Sequence, residues 1–367
     1  MNVEILFIAI LTSLSTSLVG VFLVLRRLSM LTDAISHTVL LGIVLSFMIT
    51  LDLNSPLLFV GATMSGVVTV YLIEALIKTK RVKEDASIGV VFTLLFAIAV
   101  IIINTRFRNV HLDIDMVLLG NLEFAIFERV TFLGISMPTS LVVMALVLLL
   151  NSVFIAVFYK EIKLTSFDAA LASVLGLMPS LIHYAMMTLV SLTAVAAFNA
   201  VGAILVIALM IGPPITARFF TKTLFATIVL TLAIATVNSI LGTLLARVFD
   251  VTISGTIAST SLAVFLLVLL FAPKGIIGAL IQTAKKRRQI MIASLLVHIQ
   301  NHEKTAESKD ELAYDSVHKH LKWKRQTFEK IYLLAKRKKF VAVHNDLLSL
   351  QDEGRSVVQT FYWMEEA

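Results

Sequence analysis

Cysteine is absent from all 367 residues. That excludes disulfides and every thiolate metal centre. Charge is scarce as well. Asp, Glu, Lys and Arg make up 15% of the chain, against about 25% in soluble domains. Hydrophobic residues reach 58% and mean hydropathy is +0.93, so lipid is the solvent for most of the chain. No basic segment precedes the first apolar run; Arg26 and Arg27 follow it instead. That pattern argues against a cleaved signal peptide and for a retained first span.

The scarce charge is unevenly placed. Residues 285–367 hold 16 Lys and Arg and 11 Asp and Glu, while residues 1–284 hold 15 and 13. The tail also carries five of the eight His residues and both Trp residues. Two parts follow: a membrane body over 1–284 and a soluble, basic domain over 285–367.

A membrane helix needs about 20 largely apolar residues. Candidates fall near 3–25, 34–51, 56–77, 86–104, 131–158, 179–197, 200–217, 223–247 and 256–273. The predicted fold class is an all-α polytopic membrane protein of eight or nine spans, followed by a mainly helical C-terminal domain. The spans are rich in Gly, Ala, Ser and Thr, which lets helices approach closely. Pro213 and Pro214 are expected to break or kink the seventh span.

Short loops rich in Lys and Arg stay in the cytoplasm. Arg26, Arg27, Lys78, Lys80, Arg81, Lys83, Lys160, Lys163, Arg218 and Lys222 fall on one side; Arg106, Arg108, Arg129 and Arg247 fall on the other. The N-terminus is therefore expected outside and the tail in the cytoplasm.

The stretch "LTDAISHTVLLG" (31–42) places Asp33 and His37 four residues apart between oily segments. On a helix they share a face. An ionisable residue inside a span is a functional hypothesis, because its burial costs at least about 2.5 kcal/mol. Carboxylate plus neutral imidazole suits Mn²⁺, Fe²⁺ or Zn²⁺. The structural alternative has Asp33 capping the helix and His37 bonded to a neighbouring one. Two ligands do not complete a site, but a dimer would supply four. Gly42 and Ser46 lie near the same face, which would suit a close interface.

"RRLSMLTDAISHTVLLGI" (26–43) resembles the signature segment of the integral-membrane subunits of bacterial ABC importers for manganese, zinc and iron, in particular the permeases of gene clusters with two permease subunits. Asp33, Ala34, Ile35, Ser36, His37, Val39, Leu40 and Gly42 match that segment; Thr38 stands for Ala and Leu41 for Pro. "KEDASIGVVFTLLFA" (83–97), "LLGNL" (118–122), "LTSFDAALASVLGL" (164–177) and "NAVGAILVIALMIGPPITA" (199–217) resemble the family in the family's order, over about residues 5–275. The resemblance implies that Asp33 and His37 coordinate a transported ion, Zn²⁺ or Mn²⁺ with Fe²⁺ as a further candidate, and that no metal is held as a cofactor. It also implies a permease rather than an enzyme, in a bacterial cell membrane. The implied partners are an ATP-binding cassette ATPase dimer, an identical or paralogous second permease, an extracytoplasmic metal-binding protein and membrane lipid. No Walker A pattern occurs in the chain, so a separate subunit hydrolyses ATP.

Within "LTSFDAALASVLGL", Ser166 or Asp168 can cap a short helix that Gly176 ends, with Pro179 just beyond. An acid, Ala residues, then Gly resembles the short helix by which ABC permeases dock on their ATPase. Asp168, Ala169, Ala172 and Gly176 are the candidate coupling residues.

"NVHLDIDMVLLGNLEF" (109–124) offers His111, Asp113 and Asp115 as an external cation contact, or as partners of Arg106 and Arg108. His183, Asn199 and Asn238 read as structural hydrogen-bond partners, and Glu74 as the partner of a loop lysine or an interface group.

In the tail, apolar stripes in "IASLLVHI" and "IYLLA", with Trp323 and Phe328, suffice for a small core. Helices followed by "KFVAV" and "LSLQDEG" resemble the winged-helix domain of metal-dependent repressors. DNA ranks behind a regulatory or solvated role for this domain. His298 and His302 at i, i+4, with His318 and His320 nearby, form a candidate metal-sensing cluster.

Two rival functions remain. One is an ABC permease for an organic cargo such as a siderophore or vitamin, which needs a wide, uncharged path. The other is a membrane-anchored sensor acting through its tail.

Overall fold

The computed structural model describes residues 3–52, 55–106, 122–132, 135–273, 275–305 and 308–365. The chain divides into two compact units, Met1–Gly275 and Ile276–Ala367. The basic run 285–288 lies inside a continuous helix that begins at Ile276.

The first unit opens with α1 (Val3–Leu25), α2 (Met30–Thr50), α3 (Pro56–Lys78) and α4 (Glu84–Arg106). A hairpin of β1 (Arg129–Phe132) and β2 (Ile135–Pro138) precedes α5 (Thr139–Val157). Two short helices, α6 (Tyr159–Phe167) and α7 (Ala169–Val174), lead to α8 (Pro179–Val201), α9 (Ala203–Arg218), α10 (Leu224–Phe249) and α11 (Ile253–Phe271). Among the described residues, eight helical segments are long and apolar enough to cross a membrane; α9 is apolar but shorter.

The expected fifth span, 131–158, gives up its first residues to the hairpin. "RVTF" carries a β-branched pair, and Pro138 precedes the first helical residue Thr139, so the helix starts there. Arg129 anchors the hairpin through a bidentate pair with Glu4, Nη1 to Oε2 at 3.1 Å and Nη2 to Oε1 at 2.9 Å.

α1 is the most buried span. Its "TSLSTS" run hides Thr12, Ser13, Ser15, Thr16 and Ser17 completely. These hydroxyls serve the neighbouring helices. Ser13 bonds Ser239 of α10, Ser15 donates to Met144 O of α5, and Ser17 donates to Leu209 O of α9 at 2.7 Å.

That last bond explains how α9 continues through Pro213 and Pro214 without a break. Each proline lacks the N–H that would pair with the carbonyl four residues back. For Pro213 that carbonyl is Leu209 O, and Ser17 satisfies it. For Pro214 it is Met210 O, which packs on Gly20; a Cβ there would lie 2.0 Å from the oxygen. A neighbouring helix thus occupies the carbonyls the prolines release.

α8 and α9 are separated by Gly202 alone, at φ 84° and ψ 158°. That region is open essentially only to glycine, so the chain turns there without a loop.

The second unit begins with α12 (Ile276–His302), then α13 (Ser308–Glu311), α14 (Val317–His320) and α15 (Arg325–Arg337). A hairpin of β3 (Val341–His344) and β4 (Leu347–Leu350) turns at Asn345 and Asp346, both at positive φ, as a tight hairpin turn requires. α16 (Asp352–Glu365) closes the chain. The core joins Leu295, Leu296 and Ile299 of α12 to Phe328, Ile331 and Tyr332 of α15 and to Val341 and Leu348 of the hairpin. The stripes expected to build a core do so, and Trp323 packs against it.

Candidate functional site

α2 starts at Met30, and Asp33 stands in its first turn, where the helix dipole favours a carboxylate. Asp33 is not the cap: Ser29 holds that position and makes no side-chain capping bond. His37 follows one turn on, with Nε2 3.6 Å from Asp33 Oδ1. The two groups are adjacent without a hydrogen bond between them, since that distance exceeds bonding range.

From Leu31 to Val44, every α2 residue except Asp33, His37 and Ile43 is buried. The side chains of Asp33 and His37 keep 46% and 32% of their exposure. The pair therefore opens outward from a helix otherwise packed on its own chain. Phe92 of α4 stacks on the His37 ring at 5.4 Å, and Phe96 meets it edge-on at 5.8 Å. Spaced i, i+4, these two phenylalanines form one wall that fixes the imidazole.

Gly42 and Ser46 do not share this opening. A Cβ on Gly42 would meet Gly61 O of α3 at 2.2 Å, and one on Gly61 would meet Ser46 Oγ at 1.8 Å. The small residues serve the α2–α3 crossing inside the chain, not an interface beside the Asp–His pair.

At the start of α2, Arg26 turns back into the protein. Its Nε donates to Ser166 Oγ at 3.1 Å, Nη2 to Thr165 Oγ1 at 3.1 Å, and Nη1 to His183 Nδ1 at 2.9 Å. Because Nδ1 accepts from Arg26, the His183 proton sits on Nε2, which faces Glu74 Oε1. Tyr184 Oη donates to Glu74 Oε2 at 2.9 Å. Glu74 thus takes His183 and Tyr184 as its direct partners, beside the two readings the sequence offered, a loop lysine or an interface group. His183 is a hydrogen-bond partner, as expected. So is Asn238, which is buried and donates to Ser261 Oγ at 3.2 Å. Asn199 instead lies exposed. In the sequence Arg26 marks only the end of the first span and its sidedness; its neighbours in the fold come from segments 139 to 157 residues away.

Asp168 caps α7, its Oδ1 accepting from Leu171 N at 2.9 Å. Ser166 is taken by Arg26. Leu177 N closes back on Ala172 O at 3.0 Å, and Gly176 at φ 79° makes that reversal. Ala172 is buried while Ala169 and Gly176 are exposed. Around them Phe167, Leu171, Val174, Leu175 and Met178 are all exposed. α7 is a capped helix with an unpartnered apolar surface.

His111, Asp113 and Asp115 lie outside the described residues, as does most of "LLGNL".

A bundle of helices long and apolar enough to cross a membrane, with a carboxylate and an imidazole side by side on one of them, defines the class of polytopic membrane proteins. Comparison with known proteins narrows the class. The chain belongs to the ABC 3 transport family, which matches residues 2–272. It is 41% identical over 360 residues to the zinc transport system membrane protein TroD of Treponema pallidum (strain Nichols), covering 98% of each chain. It is 42% identical over 282 residues to the manganese transport system membrane protein MntD of Bacillus subtilis (strain 168), covering 76% of this chain and 95% of that one. Among solved structures it is similar to PsaBC from Streptococcus pneumoniae in complex with Fab, with a TM-score of 0.60 at 30% identity over 74% of this chain and 91% of that chain.

Proposed function

We propose that the chain is the permease subunit of an ATP-driven importer of divalent transition-metal ions, with Asp33 and His37 as ligands along the path of the ion. The observation that carries this reading is the opening of that pair on an otherwise buried face of α2, with Phe92 and Phe96 holding the imidazole. Two ligands from one chain are too few for a stable site. A second permease, identical or paralogous, supplies the remainder across the opening. Zn²⁺ and Mn²⁺ are the favoured cargoes, in keeping with the named roles of the relatives, and Fe²⁺ fits the same donors.

ATP is hydrolysed by a separate ATPase dimer. α7, with Asp168, Ala169, Ala172 and Gly176, docks on it through its exposed apolar surface, and an extracytoplasmic binding protein delivers the ion. The lysine and arginine distribution supports an external N-terminus and a cytoplasmic tail. The tail modulates transport and does not perform it; its helices and hairpin support the winged-helix reading. An uncharged organic cargo would have no use for the Asp–His pair.

The test is uptake of radioactive manganese and zinc by cells that depend on this permease. Asp33→Ala and His37→Ala each abolish uptake while the protein still inserts at normal levels. Full uptake by both single variants would overturn the site.

A further inference from the structure

Three of the five His residues of the second unit are gathered. His298 and His302 share a face at the end of α12, with ring centroids 4.8 Å apart. Glu311, the last residue of α13, comes up against them. One ligand atom from each of these three residues lies within 4.8 Å of the others. His298 Nε2 stands 3.6 Å from Glu311 Oε2 and 3.1 Å from Glu311 O. His320, the last residue of α14, reaches the same carboxylate oxygen through Nδ1 at 3.1 Å. Its ring lies nearly parallel to that of His298.

We propose that the second unit binds one borderline divalent cation of the Zn²⁺ type between His298, His302, Glu311 and His320. Three imidazoles and one carboxylate are a donor set that Zn²⁺ accepts in tetrahedral geometry, with bonds of about 2.0–2.2 Å. Such bonds place neighbouring ligand atoms about 3.4 Å apart. Glu311 Oε2 stands 3.6 Å from His298 and 3.1 Å from His320, and His302 lies within 4.8 Å of His298 and Glu311, so side-chain rotation would have to draw His302 in.

A purely structural hydrogen-bond cluster explains less. His302 Nδ1 is buried and has no hydrogen-bond partner among the described residues. Buried polar atoms are normally paired, and a metal ion would give this nitrogen its partner. Glu303, one residue on, is already engaged by Arg355 Nη2 at 2.7 Å and does not compete. His318 lies against Phe328 and takes no part.

The cation would tie the end of α12 to α13 and α14. The site lies outside the membrane unit and does not rest on the role given to Asp33 and His37.

The test uses the full chain, purified in detergent and carrying Asp33→Ala and His37→Ala so that the membrane pair is silent. Titration with Co²⁺ gives one ion per chain, the visible absorption of a four-coordinate site, and displacement by Zn²⁺. Zn²⁺ also raises the Tm of the second unit. In this background His302→Ala and Glu311→Gln each weaken Co²⁺ at least about tenfold and remove the Zn²⁺-induced Tm shift. The metal-free melting curves of both stay near the parent, and Glu311→Gln keeps the shape of the side chain. A parent chain that binds no Co²⁺, or two variants that keep its spectrum and affinity, overturns the proposal.

Discussion

Both units bury apolar side chains, but only the first, among the described residues, buries Ser and Thr hydroxyls beside them. α1 buries Thr12, Ser13, Ser15, Thr16 and Ser17, while Leu94, Ile98 and Ile101 of α4 and Leu146 and Leu149 of α5 are exposed. α15 buries Phe328, Ile331, Tyr332 and Ala335 and turns its lysines outward. The difference follows from the solvent. In lipid, apolar surface gains nothing by leaving the solvent, so helices are held by close approach and by hydrogen bonds between small polar groups. In water, removing apolar surface drives folding, and the same hydroxyls would sit outside. One chain thus carries two rules of assembly, and its sequence changes rule where hydropathy falls and charge rises.

The contrast can be strained from either side. The largest effect is expected in the second unit. Phe328 is 1% exposed, and Phe328→Ala should cost about 3–5 kcal/mol. Both Trp residues lie in this unit, so tryptophan fluorescence during denaturation reads it alone. A midpoint unchanged in Phe328→Ala would contradict the water-driven core. Next comes Gly20→Val in the first unit. The new side chain meets the Met210 carbonyl, and the expected loss is about 1–3 kcal/mol or more, read as a lower melting temperature by circular dichroism in detergent. The smallest effect sharpens the comparison most. Ser17→Ala removes a buried hydrogen bond, yet such bonds between membrane helices average only about 0.6 kcal/mol. A loss well above about 1.7 kcal/mol would show that the carbonyl freed by Pro213 has no other recourse.

Much of the fold was legible because bilayer thickness fixes span length. Eight of the nine expected spans correspond to helices within a few residues. The ninth, 131–158, was overextended, since hydropathy counts "RVTFLGISMP" as oily without seeing that it pairs with itself. The passage of α9 through two prolines was hidden for a different reason. Its remedy lies in Ser17, nearly 200 residues away. Gly42 and Ser46 announced a close contact correctly but could not name the partner, because a small residue records distance and not identity. The Asp33–His37 pair was readable from spacing alone. Its phenylalanine wall was not, although Phe92 and Phe96 repeat at the same interval on α4. In the tail, the spacing of His298 and His302 was visible, whereas Glu311 joined them only through the fold.

The guanidinium of Arg26 has a mechanical consequence. It grips Thr165 and Ser166, immediately before the Asp168 cap, and stands seven residues ahead of Asp33. Were α7 to take the load proposed for it, that load would reach the segment ahead of α2 through two hydrogen bonds. The chain holds a tie-rod between the surface where force would enter and the turn where the carboxylate sits, and its length is that of one arginine side chain.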